Sequence, residues 1–198
     1  MHTKRLIQIG LIGLIGMVVM AGRADALDTT TPVNLVKAKL DQVTRVLQDP
    51  QLSLEKKQAA ILDTVVPIFD LPLMAKLTLG KKHWSALPGD KRQEYVSLYS
   101  ELLKKSYLGK VGLYTNEKIN YKPALIKKRK VYVPTEIISK GKAVPITFKL
   151  YRSKAGWKIY DADISGTSIV LSHRVEYDAI LRNGTIDDLL GKLRQSLK

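Results

Sequence analysis

The sequence predicts an α+β fold, an antiparallel sheet of about four strands packed with about six helices. Three observations lead there. Apolar residues alternate with period two from Val131 to Ile164, and they recur at three- and four-residue spacing both before and after that stretch. Breaks marked by glycine or proline separate the segments.

Pro32 sits where a first helical turn tolerates it, and Val36, Leu40, Val43 and Leu47 form one stripe that Asp49-Pro50 stops. Ser53 is placed to cap a second helix carrying Ala60, Ile61, Val65 and Ile68, which Pro67 should end or kink. Asp70 is placed to cap a third, with Pro72 in its first turn and Gly80 as its end. A short turn around Lys82-His83-Trp84 then leads to Pro88, and the fourth helix runs to about Tyr107.

Strands are expected at about 117–126, 130–139, 142–152 and 156–165, with hairpin breaks at Ser139-Lys140-Gly141 and at Ser153-Lys154-Ala155-Gly156. On the third, Val144, Ile146, Phe148 and Leu150 share one face, and Lys142, Thr147 and Lys149 the other. Trp157, Ile159 and Asp161 are expected on one face of the last strand, with Lys158, Tyr160 and Ala162 on its reverse. Ile169 to Leu181 reads as a helix closed by Asn183-Gly184. Thr185 and Asp188 then cap a final helix over 186–197.

The N-terminus is a separate object. Lys4 and Arg5, an apolar run from Leu6 to Ala21 and Ala24-Asp25-Ala26 have the form of an export leader, residues 1–26. The run is short for a spanning helix and is broken by Gly10, Gly13 and Gly16. Cleavage after Ala26 would leave one domain, 27–198: a helical part 32–112, a sheet 117–165 and C-terminal helices 168–197. With no cysteine in the chain, lipid modification at a cysteine is excluded, and export points to a periplasm.

Charge and chemistry narrow the function. The chain has 33 Lys+Arg against 18 Asp+Glu, a net +15 that falls by two when Lys4, Arg5, Arg23 and Asp25 leave with the leader. Such a surface suits an anionic partner, and export makes nucleic acid the least suitable. No Gly-rich phosphate loop, nucleophile elbow or metal-ligand spacing is present, so neither enzyme nor metal site nor cofactor is expected. Asp161 and Asp163 share a strand face, a pattern that fits polar or turn-capping roles better than paired catalysis. Lys127-Lys128-Arg129-Lys130 falls at a hairpin turn, either as a solvated turn or as a docking patch for anionic membrane or an acidic partner. The several apolar faces describe either a well-filled core or the lining of a cavity.

Two motifs carry a family resemblance. Phe69-Asp70-Leu71-Pro72-Leu73-Met74-Ala75-Lys76-Leu77-Thr78-Leu79-Gly80, followed by Trp84, resembles the F-D-x-x-x-M-A-x-x-x-L-G signature of MlaC-type periplasmic phospholipid-binding proteins, the toluene-tolerance family. Gly156-Trp157-Lys158-Ile159-Tyr160-Asp161, continuing through Gly166-Thr167-Ser168-Ile169-Val170, is similar to that family's G-W-K-V-Y-D…G-x-S-L-V segment. One departure is His173, where the family often has Tyr.

The resemblance implies a curved sheet and helices around an apolar lipid pocket, with the phospholipid as cargo. It implies a carrier between an outer-membrane lipoprotein complex and an inner-membrane ABC transporter, maintaining outer-membrane lipid asymmetry; transient membrane contact is a separate expectation, from the basic surface. A related branch is tied to hopanoid-type lipids, and an envelope adaptor using its basic surface is the other alternative. On that reading the tail contacts expected from the sheet are Val133, Val144, Ile146, Phe148, Leu150 and Ile159. From the helices they are Leu73, Met74, Leu77, Tyr99, Leu102, Leu103 and Val170, with Lys149 and Arg174 at the head group.

Overall fold

The structure, a computed structural model, describes residues 30–108, 118–139 and 141–198. The expected leader with its cleavage point, Lys140 of the first hairpin break, and position 117 of the first strand lie outside the described residues. The architecture is α+β. Helices α1 (Thr30–Gln48), α2 (Leu54–Val65), α3 (Leu71–Ala86) and α4 (Gly89–Leu103) come first. The strands β1 (Lys118–Tyr121), β2 (Leu125–Lys127), β3 (Lys130–Ser139), β4 (Lys142–Ser153), β5 (Gly156–Ile164) and β6 (Thr167–Ser168) follow, then α5 (Ile169–Asn183) and α6 (Ile186–Leu197).

Local chemistry sets the helix ends. The Ser53 hydroxyl accepts the Lys56 N–H at 3.3 Å, and α2 passes into a 3-10 turn, Val66–Ile68, at Pro67. Thr185 and Asp188 form a reciprocal capping box on α6. Gly80 takes φ 64°, ψ 175°, so it does interrupt α3. The chain nevertheless resumes helix to Ala86, which replaces the expected turn at residues 82–84. Helix α4 ends earlier than expected and continues as a π-turn, Lys104–Leu108.

The sheet runs β1-β3-β4-β5-β6, with β2 also paired to β3, so it has six strands rather than about four. The extra strands have plain causes. Pro123 lacks an N–H and splits the expected first strand, so β1 pairs with Thr135–Ile138 and β2 with Lys130–Tyr132. Thr167–Ser168 adds a short ladder against Asp163–Ile164.

One register detail overturns an expected face. Leu150 pairs with Ile159 but Lys149 pairs with Asp161, leaving Tyr160 as an extra residue. This β-bulge shifts the alternation of β5. Ala162 and Ile164 therefore join Trp157 and Ile159 on the inner face, opposite Phe148 and Ile146, while Asp161 and Asp163 turn to the outer face with Lys149.

Three apolar clusters form the core, and two of them cover parts of the inner face. Val36 of α1 and Ile68 pack on Val131, Val133, Leu150 and Ile159. Val43, Ile61 and Val65 join α1 to α2. The largest cluster unites α3, α4, α5 and α6 and reaches the sheet through Ala162, Phe148 and Ile164. Phe69 packs against all three.

Two carboxylates fasten helices to the sheet. Asp70 donates its N–H to the Ile159 carbonyl at 2.8 Å, accepts the Leu73 N–H at 2.9 Å, and accepts the Tyr151 hydroxyl. Asp161, 5% exposed, accepts the Val170 N–H at 3.1 Å, the Ser168 hydroxyl at 2.7 Å and the Lys149 ammonium at 2.9 Å. Both sit at helix N-termini, where negative charge is favoured. Removing Asp161 leaves Lys149, a buried N–H and a hydroxyl short of an acceptor, so Asp161→Ala should cost about 3 kcal/mol. Asp70→Ala, which removes a cap and one side-chain bond, should cost about 1–2 kcal/mol. Urea unfolding midpoints of the two variants check that order.

Candidate functional site

The candidate site is the part of the inner sheet face that no cluster closes among the described residues. Ile119, Ile137 and Val144 lie side by side across β1, β3 and β4. Thr135, Ile146 and Ile164 make the next row. Thr135 is buried and donates its hydroxyl to the Ile146 carbonyl at 2.9 Å, while the five aliphatics stay only half-buried. Of these five, only Ile164 packs against a core cluster among the described residues. Phe148 completes the surface, half-buried and touching both sheet-covering clusters. The result is an apolar strip that begins at the packed helices and runs toward the β3–β4 turn, with its backbone satisfied by the ladder.

The expected tail contacts divide into separate places. Val144, Ile146 and Phe148 belong to this strip. Val133, Leu150 and Ile159 are fully buried under α1, and Met74, Tyr99 and Leu103 are packed with equal tightness among the helices. Val170 is buried in the helical cluster, with Leu77 and Leu102 packed partly exposed against it. Leu73 lies elsewhere, in an open groove of ≈ 540 Å³ between α3 and α4, with Pro72, Lys76, Trp84 and Val96 among its neighbours. Leu102 also borders a smaller hollow of ≈ 180 Å³ beside His173, Tyr177 and Leu193.

Ile119, Ile137 and Ile164 are not among the expected contacts. The bulge hid Ile164, and the sequence signal for it was an apolar face that turns acidic at Asp161 and Asp163 without a partner in sight. Ile119 lies in a segment too short to show its own alternation.

Neither expected head-group cation stands at this strip. Lys149 faces outward between Asp161 at 2.9 Å and Asp163 at 2.6 Å, and over the Tyr132 ring. Burial works against its charge, but the hydrogen bonds and charges of Asp163 and Asp161 outweigh that and hold it above the usual lysine range. With two carboxylates already on it, this ammonium is poorly placed to recruit a phosphate. Arg174 is exposed on α5, and its guanidinium lies so close over Gly80 that an added Cβ would meet it at 2.9 Å. With no side chain at Gly80, the guanidinium can lie over its backbone.

The helical side of the site contains a ring cluster. Tyr99 and Tyr177 meet edge-on at 6.3 Å, His173 stacks on Tyr177 at 5.5 Å, and the Tyr99 hydroxyl lies 3.1 Å from His173 Nδ1. Burial pushes the His173 imidazole below its ordinary range, against the smaller opposing pull of Glu176. No group of three or more metal-ligating side chains occurs among the described residues.

Fold and site together define an α+β protein that leaves part of its apolar sheet face open. The family model described as MlaC protein matches residues 37–195, and the chain belongs to the MlaC family. A solved structure from Ralstonia solanacearum, a phospholipid-binding protein in complex with a phospholipid, is similar at 25% sequence identity and a TM-score of 0.73. The match covers 83% of this chain and 95% of that one.

His173 gives a signed pH prediction. The unfolded chain protonates this imidazole near about pH 6.5, whereas the folded chain resists until lower pH. The unfolded state therefore binds the extra proton first, and the His173 contribution to stability is lost as pH falls below that value. Melting temperature should drop on acidification from about pH 7 to about pH 5, and His173→Phe should flatten that slope. Thermal melts of both proteins across this window check it.

Proposed function

We propose that the chain is a non-catalytic carrier of phospholipid that works in the periplasm after loss of residues 1–26. It would move lipid between an outer-membrane lipoprotein complex and an inner-membrane ABC transporter, and so help maintain outer-membrane lipid asymmetry. Membership of the MlaC family and the phospholipid held by the similar Ralstonia protein support this reading. The observation that carries it is the apolar strip of Ile119, Ile137, Val144, Ile146, Phe148 and Ile164. A hydrogen-bonded sheet offering a continuous aliphatic surface gives acyl chains a dry wall without exposing backbone groups to them.

The energetics suit transfer rather than trapping. Each CH₂ removed from water gains about 0.8 kcal/mol, so two acyl chains represent on the order of 20–25 kcal/mol gross. A bilayer supplies the same gain. A site that matches the membrane makes transfer a near-balanced exchange, and direction then comes from the partners at either end.

Protein isolated without detergent should yield phospholipid on solvent extraction and mass spectrometry. Ile146→Asp places a charge on a half-buried inner position and should abolish loading while the protein stays folded. Thr147→Asp, one residue along on the outer face, should load normally. Lipid-free protein that also takes up none from vesicles, or equal loading of the two variants, would overturn the proposal.

A further inference from the structure

The far end of the sheet carries a surface that the cargo strip does not use. Among the described residues, strand β2 is an edge, paired only through Leu125↔Tyr132, Ile126↔Val131 and Lys127↔Lys130. Leu125 is 52% exposed and Ile126 50% exposed. Edge strands with bare aliphatics invite association unless something covers them or charge protects them. Here the charge is all of one sign. Lys127, Lys128, Arg129 and Lys130 are exposed, with Lys128 at φ 60° in the turn. The register Lys130↔Tyr151 and Arg152↔Trp157 brings Arg152 and Lys154 of the β4–β5 turn to the same end. Residues 122–135 and 142–160 contain no acidic side chain. None of the six cations is in an ion pair among the described residues. Lys127 and Lys130 lie over the Tyr132 and Tyr160 rings, with nitrogens 5.0 Å and 4.2 Å from the ring centroids.

We propose that this corner docks the protein on an anionic bilayer, with the basic turns against lipid phosphates and Leu125 and Ile126 entering the headgroup layer. Cations alone would suit any polyanion. The two neighbouring aliphatics at an exposed edge select a membrane, because they gain only where an apolar layer lies just beneath the charge. An acidic protein would have to bring its own apolar recess within a few ångströms of its carboxylates. The corner lies at the opposite end of β3 and β4 from Ile137 and Val144. Docking therefore does not occlude the cargo strip, and the two are separable by experiment.

The test is vesicle flotation of chain recovered from the soluble fraction of cells expressing the full sequence. Vesicles are phosphatidylcholine, with or without about a third phosphatidylglycerol, at low salt and at about 0.5 M salt. Wild type should float with the anionic vesicles only, and less at high salt. Lys127→Glu/Lys128→Glu/Arg129→Glu should lower partition at least about tenfold, since each basic residue near such a surface contributes roughly fivefold. Lys56→Glu/Lys81→Glu/Lys198→Glu changes the net charge equally at exposed sites elsewhere and should lower it no more than about twofold. Leu125→Ser/Ile126→Ser should lose the binding that survives high salt. Far-UV circular dichroism and extracted lipid content, measured alongside, separate loss of docking from loss of fold or cargo. Equal loss in the two triple variants, or no effect of the serine pair, would overturn the proposal. So would failure of wild type to float, which would leave an acidic protein as the corner's partner.

Discussion

Everything in this molecule that concerns the candidate site depends on how two helices are fastened to one strand. Asp70 and Asp161 each place a carboxylate at a helix N-terminus while holding β5, the first through its own backbone at Ile159 and the second from within the strand. They lie in the two sequence motifs that mark the family resemblance. Their shared role gives those motifs a physical meaning that needs no direct contact with a ligand: they set where α3 and α5 stand on the sheet. Asp161 is the more demanding of the two. A carboxylate this buried is tolerable only because Lys149, Ser168 and the Val170 N–H all converge on it.

With α3 and α5 fixed at β5, the helical layer covers one region of the inner face and α1 covers another. The strip from Phe148 toward Ile137 and Val144 is left partly open as a consequence. A folded surface that faces water does not ordinarily keep a continuous aliphatic strip half-exposed. That cost has a use if the surface meets hydrocarbon. The requirement on such a surface is modest, since it need only resemble the membrane interior. Aliphatic side chains on a hydrogen-bonded sheet meet that requirement without any specific polar recognition. The outward-facing, doubly paired Lys149 is consistent with this, because it removes one candidate for tight head-group binding from the site.

Much of the fold was legible in the sequence because local chemistry decided it. Ser53, Asp70 and the Thr185–Asp188 pair cap helices as their side chains require, and Pro67 ends α2. The alternation of β4 reads correctly from Val144 to Leu150, but Lys142, two residues before Val144 in an unbroken ladder, lies on the inner face with it rather than with Thr147 and Lys149. Legibility failed where a distant partner decided the outcome. The bulge at Tyr160 is imposed by pairing Lys149 with Asp161, so β5 could not reveal by itself that Ile164 faces inward. Gly80 signalled a helix end, but its positive φ kinks α3 rather than ending it, and the helix resumes beyond it. The site residues suffered most. Periodicity finds apolar faces but cannot say which are sealed, and so Tyr99 and Leu150, both fully buried, looked the same as Ile146.

The open inner face is the centre of the account, and the absence of cysteine offers a direct way to probe it. Single cysteines placed in turn from Val144 to Lys149 can each carry a nitroxide, and the loaded protein can then be scanned for proximity to acyl chains bearing a second spin label. Strong coupling at 144, 146 and 148 with weak coupling at 145, 147 and 149 is the predicted result, because alternate residues of a strand face opposite sides. Coupling without that alternation, or stronger on the odd-numbered positions, would contradict a cargo site on this face.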